Sequence, residues 1–247
     1  MRVLKIVAEG QTTSFRYPHF MQQIHPSYQM PPPATIYGHI CSALGTWIDP
    51  KGVEFAYHFT YEGIVTDIEH TIVLSSSTGK LPETKYPKVL EGRVNPFDRD
   101  IIFQPRLTLY LNQPQWLEYF RSPRYLVVLG RSQDLFTYIK VEVMELQQAE
   151  QAYFEHTILP HQMAVQVMQG VTVLLPRYLD YTNQRAPSFS RYLVVKEYVL
   201  SHNFFQYDAS IKQNYWIDPT SVQKKGLHLG LHFHSFVGDD GEALQMA

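Results

Sequence analysis

Apolar and β-branched residues fill positions 2 to 8 and stop at Gly10, the pattern of a short strand buried on at least one face. A polar and aromatic stretch with Pro18 and Pro26 follows and runs into Pro31-Pro32-Pro33-Ala34-Thr35. Consecutive prolines forbid a helix before them yet suit its first turn, so a helix is predicted to start there. Ile36, Ile40, Leu44 and Trp47 recur at helical spacing, Gly38 would let the helix approach a sheet closely, and Asp49-Pro50-Lys51-Gly52 stops it. Residues 53–60 and 63–74, rich in Phe, Tyr, Val, Ile and Thr, read as two strands or one long bent one. Between 75 and 100 the hydrophobic rhythm collapses into a long, slightly basic insertion punctuated by Gly79, Pro82, Pro87, Gly92 and Pro96. Residues 101–111 resume as a strand, Pro114 opens a short helix around 116–120, and 125–129 is a continuous apolar strand closed by Gly130.

The order β-α-β-(insertion)-β-α-β is the split βαβ plan of a ferredoxin-like (RRM-like) sheet, with both helices on one face and the other face free to meet a ligand. The predicted class is therefore α+β: a ferredoxin-like N-terminal domain over residues 1–146, with its insertion at about 75–100, and a smaller β-rich C-terminal domain over 147–247. After a strand at 136–146, the clearest strands of the second half are 171–175, 192–200 and 227–233.

The chain's 247 residues suffice for one large or two small domains, and 45% hydrophobic content excludes disorder. Charged residues reach only 18% and aromatics 14%, so much of the surface is uncharged and ring-rich, as at surfaces that meet partners. With 21 Lys plus Arg against 23 Asp plus Glu there is no global basic field, and any polyanion site must be local. The lone Cys41 excludes an internal disulfide and a thiolate-cage zinc site, and its place beside the apolar stripe of the first helix suits a small buried hydrophobe. Lys5, Glu9 and Arg16 interrupt any signal-peptide core, and no apolar run approaches ~18 residues, so a cytoplasmic protein outside the membrane is expected.

Thr78-Gly79-Lys80 resembles the end of a phosphate-binding loop, but Leu74 and Leu81 stand where that motif needs Gly and Ser or Thr. His228, His232 and His234 alternate with apolar residues and would share one strand face, yet no acidic or Cys ligand accompanies them, so neither a metal nor another cofactor is expected. Eleven histidines with many Tyr and Lys keep acid–base cleavage of RNA open, although His19, His25, His39 and His58 each fit a structural role as well. In the insertion, Lys85, Lys88 and Arg93 interleave with Tyr86 and Phe97, an arrangement able to grip phosphates while rings stack on bases.

Two segments carry a resemblance to a known family. Phe15-Arg16-Tyr17-Pro18, Tyr28 to Gly38 through the three prolines, and Ala43-Leu44-Gly45 resemble the N-terminal motif of the CRISPR-associated Cas-five family, of the RAMP superfamily. Tyr125-Leu126-Val127-Val128-Leu129-Gly130-Arg131-Ser132 resembles that family's Leu-Gly-Arg-Ser turn. The resemblance covers about residues 1–146, places the insertion where the family carries a protruding thumb, and is nearest in tone to the type I-B branch. It implies a non-catalytic subunit that caps the 5′ handle of the CRISPR guide RNA (crRNA) in the Cascade ribonucleoprotein of antiviral defence or of a transposon-associated system. Its partners would be the Cascade backbone subunit, the large subunit and target DNA near the protospacer-adjacent motif.

On matching positions the resemblance makes Tyr28, Thr35, Tyr37 and His39 line the entrance to the first helix, with Arg16 beside them. Arg131 and Ser132 would reach a phosphate or an extruded base, and Lys85, Lys88 and Arg93 are thumb contacts by position. Type I-C relatives cut precursor guide RNA with Tyr and an adjacent Lys-His pair. This sequence has no Lys-His dipeptide, so no catalytic residue is expected, and a metal-independent endoribonuclease is the alternative.

Overall fold

The computed structural model describes residues 1–19, 24–205 and 214–238. The first apolar run forms β1 (Arg2–Gly10), followed by two-residue strands β2 (Thr12–Thr13) and β3 (Ile24–His25) and helix α1 (Pro33–Leu44). Pro33 occupies the first turn, and Gly45, at φ +78°, ends the helix with its N–H on Cys41 O, well before Asp49. Next come β4 (Glu54–Thr60), the long strands β5 (Gly63–Ser76) and β6 (Leu90–Phe103), β7 (Arg106–Leu111), a turn at Pro114–Trp116 that continues as α2 (Leu117–Arg121), and β8 (Phe136–Glu145). The second half adds β9 (Gln147–Ala149), β10 (Tyr153–Phe154), β11 (Thr157–Pro160), α3 (Ala164–Val167), β12 (Val171–Asp180), β13 (Ala186–Val195), β14 (Val199–Leu200), β15 (Tyr215–Asp218), β16 (Leu229–Leu231) and β17 (His234–Ser235).

The protein is thus a mixed α+β fold, mostly strands, in several sheets. The first sheet has the order β17-β4-β7-β1-β8, and all its pairs are antiparallel. Leu4, Ile6, Leu107, Leu109, Leu111, Phe55, Tyr57 and Phe59 project from one face onto Ile36, Tyr37 and Ile40 of α1. The same cluster takes in Ile158, Leu175, Tyr192, Val194 and Phe236, so chain beyond residue 150 completes the core laid down before it.

Several expectations need correction. The opposite sheet face is not free for a ligand: Val3, Ala56 and Tyr110 pack against Tyr153, Leu229 and Leu231 of the second sheet, β14-β10-β16-β15-β9. A buried ion pair of Lys5 with Asp218, which also accepts the Tyr110 hydroxyl at 2.7 Å, clamps the two sheets together. Segment 125–129 is not a strand. Only Val128 bridges Leu135, while Tyr125 and Leu126 face solvent, and β8 takes the place beside β1. Only residues 77–89 of the insertion lie outside strands, because residues 90–100 belong to β6, which pairs with β5 along its whole length into a two-stranded ribbon. With both faces of its outer part in solvent, burial imposes no hydrophobic alternation there, which is why the sequence signal lapses. Gly38 does not let a sheet approach, since a Cβ there would meet nothing within 4 Å. Segment 227–233 is also broken. β16 belongs to the second sheet and β17 to the first, so His234 is buried while His228 bonds Gln223. No described helix is long and apolar enough to cross a membrane.

Candidate functional site

A cleft of about 450 Å³ brings together both motif segments, which lie some ninety residues apart in sequence. Arg16, Thr35, Gly38 and His39 line it from the first motif, and Val128 and Gly130 from the second. The far wall is the β12–β13 hairpin, through Pro176, Leu179, Arg185, Pro187 and Phe189. Ala34, Gly38 and Ser42, one helical turn apart, give α1 a smooth floor of small side chains. Among the described residues no carboxylate lines the cleft, and neither Arg16 nor Arg185, both exposed, has an ion-pair partner. Pro32 and Pro33 carry no N–H, and Thr35 and Ile36 donate theirs to Pro32 O at 2.8 and 3.1 Å. The helix end therefore supplies mainly its dipole, and the charge for an anion comes from the two guanidinium groups.

His39 lies in the cleft wall without a free nitrogen. Its Nδ1 is 2.9 Å from Val128 O, which can only accept, so Nδ1 carries the proton and Nε2 accepts from the Tyr138 hydroxyl at 2.9 Å. Burial pushes its pKa down, against the pull of the Val128 bond, and the neutral ring ties α1, segment 125–129 and β8 together.

The remaining predicted residues go elsewhere. Tyr28 is buried, stacks on Tyr17 at 3.7 Å and gives its hydroxyl to Leu174 O. Tyr37 is buried too, bonding Ile48 O within a ring cluster with Trp47, Tyr178 and Phe236. Burial raises the pKa of both phenols well above the ordinary value. Arg131 holds fully buried Asp134 through Nε at 3.0 Å and Nη2 at 2.7 Å and lies 3.6 Å from Glu69 of the ribbon. Glu69 in turn meets Arg99, which contacts His25 at 2.9 Å, so a charged relay joins the Gly130 turn to the ribbon base. Ser132 is exposed beside that turn. Gly130 is required there. At φ +104°, a Cβ would press on Thr13 Oγ1 and stand 3.0 Å from Ser14 O and 3.1 Å from Asp134 Oδ2.

Lys85 and Lys88 lie at the ribbon tip, Lys88 paired with Glu91 at 3.1 Å, and Arg93 lies opposite Val73. Directly opposed residues share a face, so Arg93 belongs with Thr71, Asn95, Asp67 and Glu69 on a largely polar face that Val73 and Phe97 interrupt. Ile68, Ile72, Leu74, Leu90 and Val94 make the other face exposed and apolar. Sequence reasoning missed the whole far wall of the cleft, Pro176, Leu179, Arg185, Pro187 and Phe189. Their only signal was a basic residue in the turn-forming run Thr182-Asn183-Gln184-Arg185 between two strands. Among the described residues no three His, Cys, Asp or Glu side chains gather as a metal site.

No family model matches the sequence, and no curated protein does. The fold is similar to that of a chain in a solved "CRISPR RNA-guided surveillance complex", with a TM-score of 0.51, 14% identity, and coverage of 80% of this chain and 90% of that one. Weaker likenesses are to a crystal structure of a Cas protein, TM-score 0.43, 13% identical, covering 81% and 96% of the two chains. Another is to a chain of a type III-B Cmr-beta complex bound to cognate target RNA, TM-score 0.45, 12% identical, covering 82% and 87%. At such identities the likeness is one of fold.

Proposed function

We propose that this protein is a non-catalytic, guide-RNA-holding subunit of a CRISPR RNA-guided surveillance complex, a Cas-five-like chain that caps the 5′ handle. The strand order β8-β1-β7-β4, with α1 and α2 as the two crossovers, supports a ferredoxin-like reading of the first half. The observation that carries the function is the cleft itself. Two motif segments distant in sequence converge on one groove that, among the described residues, holds two unpaired guanidinium groups and no carboxylate, the electrostatics a phosphodiester strand requires. In this reading Arg16 and Arg185 hold the handle backbone, Thr35 offers its hydroxyl, and the β5–β6 ribbon is the thumb, with Lys85, Lys88 and Arg93 reaching further phosphates. The guide's own bases read the target, as in other RNA-guided effectors. The net charge of −2 fits a chain that retains RNA tightly only within an assembly. The type I-B assignment, the backbone and large subunits as neighbours, and contact with target DNA belong to the same proposal.

The test is incubation with labelled precursor guide RNA, without metal, alone and with the other subunits of the complex. Retention without cleavage supports the capping role. A discrete cut by the lone chain would replace it with the metal-independent endoribonuclease, and His39, with both ring nitrogens bonded, would be a poor base for it. Arg16→Ala and Arg185→Ala should each lower the slope of log affinity against log salt by ~0.7, the value for one single-strand phosphate contact.

A further inference from the structure

The cleft floor follows α1 toward its C-terminal end, where Ser42 is its last lining residue, and the opposite wall ends at Arg185 in the loop between β12 and β13. Just beyond stands a column of rings. Tyr37, 2% exposed, stacks against Trp47 at 6.1 Å and 20°, and Trp47 stacks against Tyr181 at 4.7 Å and 11°. Trp47 is 49% exposed and Tyr181 39%, so a column rooted in the core emerges into solvent. Tyr181 belongs to the same loop as Arg185.

That loop is built rather than slack. Asp180 Oδ1 accepts the Thr182 N–H at 3.0 Å and hydroxyl at 2.6 Å, Asn183 N–H returns to Asp180 O, and Ala186 N–H bonds Asn183 O. Gln184 and Arg185 are both held at positive φ, 50° and 62°, conformations that cost non-glycine residues free energy and that cluster at ligand clamps. A rigid, exposed aromatic pair costs little entropy to use, and each nucleobase has a π-face to offer it.

We infer that the Trp47–Tyr181 pair is a nucleobase platform at the Arg185 end of the cleft. A base of single-stranded RNA extends the column beyond Tyr181 while Arg185 holds the adjacent phosphate. The inference rests on the cleft being an RNA site, as proposed above, and adds to it a base contact on residues outside the cleft lining.

The experiment measures binding of the full chain, at low salt, to short single-stranded oligoribonucleotides each carrying one abasic position. Wild-type protein should bind the series evenly except at one position, where loss of the base weakens binding about tenfold. Tyr181→Leu should bind the intact oligonucleotide about tenfold more weakly and show no sensitive position. Tyr181→Phe, which keeps the ring, should behave as wild type and controls for folding. Intact RNA bound equally by wild type and Tyr181→Leu, with every abasic position neutral, would overturn the platform and leave the cleft standing. No binding of any oligonucleotide by wild type, either alone at low salt or assembled with the other subunits of the complex, would overturn both.

Discussion

Arg131 was expected from its motif to contact RNA, and the structure gives its guanidinium a different task, so Arg131→Ala separates the two. Asp134 is 0% exposed and Arg131 20%, and the pair is joined by charge-assisted bonds at 2.7 and 3.0 Å. Removing one partner of a buried pair costs ~3–5 kcal/mol. Here the Arg131 backbone N–H at 2.8 Å and the Thr12 hydroxyl at 3.3 Å still serve Asp134 after truncation. The expected loss is therefore about 2–4 kcal/mol, at ~1.5–3 kcal/mol per charged hydrogen bond, with part recovered from the donors that remain. Urea denaturation reads it directly. A cycle with Asp134→Ala and the double variant should show a coupling of ~1–3 kcal/mol, as for residues in one network. RNA affinity measured where both proteins are fully folded should change little. Full stability combined with a tenfold or greater loss of RNA affinity would refute this reasoning and return Arg131 to the RNA.

Gly130→Ala should destabilise by about 2–4 kcal/mol in the same assay, because the turn's positive φ and the crowding by Thr13, Ser14 and Asp134 add. Burial, with His232 and Arg177 adding to it against the Ile158 carbonyl bond, pushes the His234 pKa down to about 3. The unfolded chain protonates this group first, so its contribution is intact above about pH 6.5 and lost as pH falls toward 3, at about 1.4 kcal/mol per pH unit for one proton. His234→Gln should flatten the pH dependence of urea stability by that amount over this window. Replacing residues 71–95 by a tight turn should leave the melting temperature within about 2 °C, since these side chains are outside the core clusters and the Glu69–Arg99 anchor remains. The same shortened chain should fail to enter the complex on co-purification.

The parts of the fold legible in the sequence are those where local chemistry and burial agree. Consecutive prolines open α1, although it ends at Gly45 rather than at the stop read from Asp49-Pro50-Lys51-Gly52, Pro114 opens the turn before α2, and Cys41 is the buried thiol its neighbours suggested, its pKa raised by burial. The illegible parts depend on distant partners. Residues 125–129 are as apolar as a strand, but β8 occupies the edge of β1 instead. Residues 227–233 alternate as one strand should, but the chain changes sheets between Leu231 and His234. In the site, the motif segments supply Arg16, Thr35 and His39 to the cleft lining. Arg185 came from a wall with no motif, and nothing local distinguishes a Tyr that lines a groove from one, such as Tyr28, that fills the core.

The clamp between Lys5 and Asp218 joins residues 213 positions apart, and β17 adds to the edge of β4 only after nearly the whole described chain has been traversed. Such non-local closure makes the order of events during synthesis consequential. A nascent chain can form the β1, β4 and β7 pairings early, but the β4 edge and the sheet face carrying Val3, Ala56 and Tyr110 stay open until the last strands arrive. An unpaired edge and a bare apolar face in a waiting intermediate invite wrong associations. Yield in a recombinant host should therefore respond to growth temperature and chaperone supply more than the finished protein's stability would suggest.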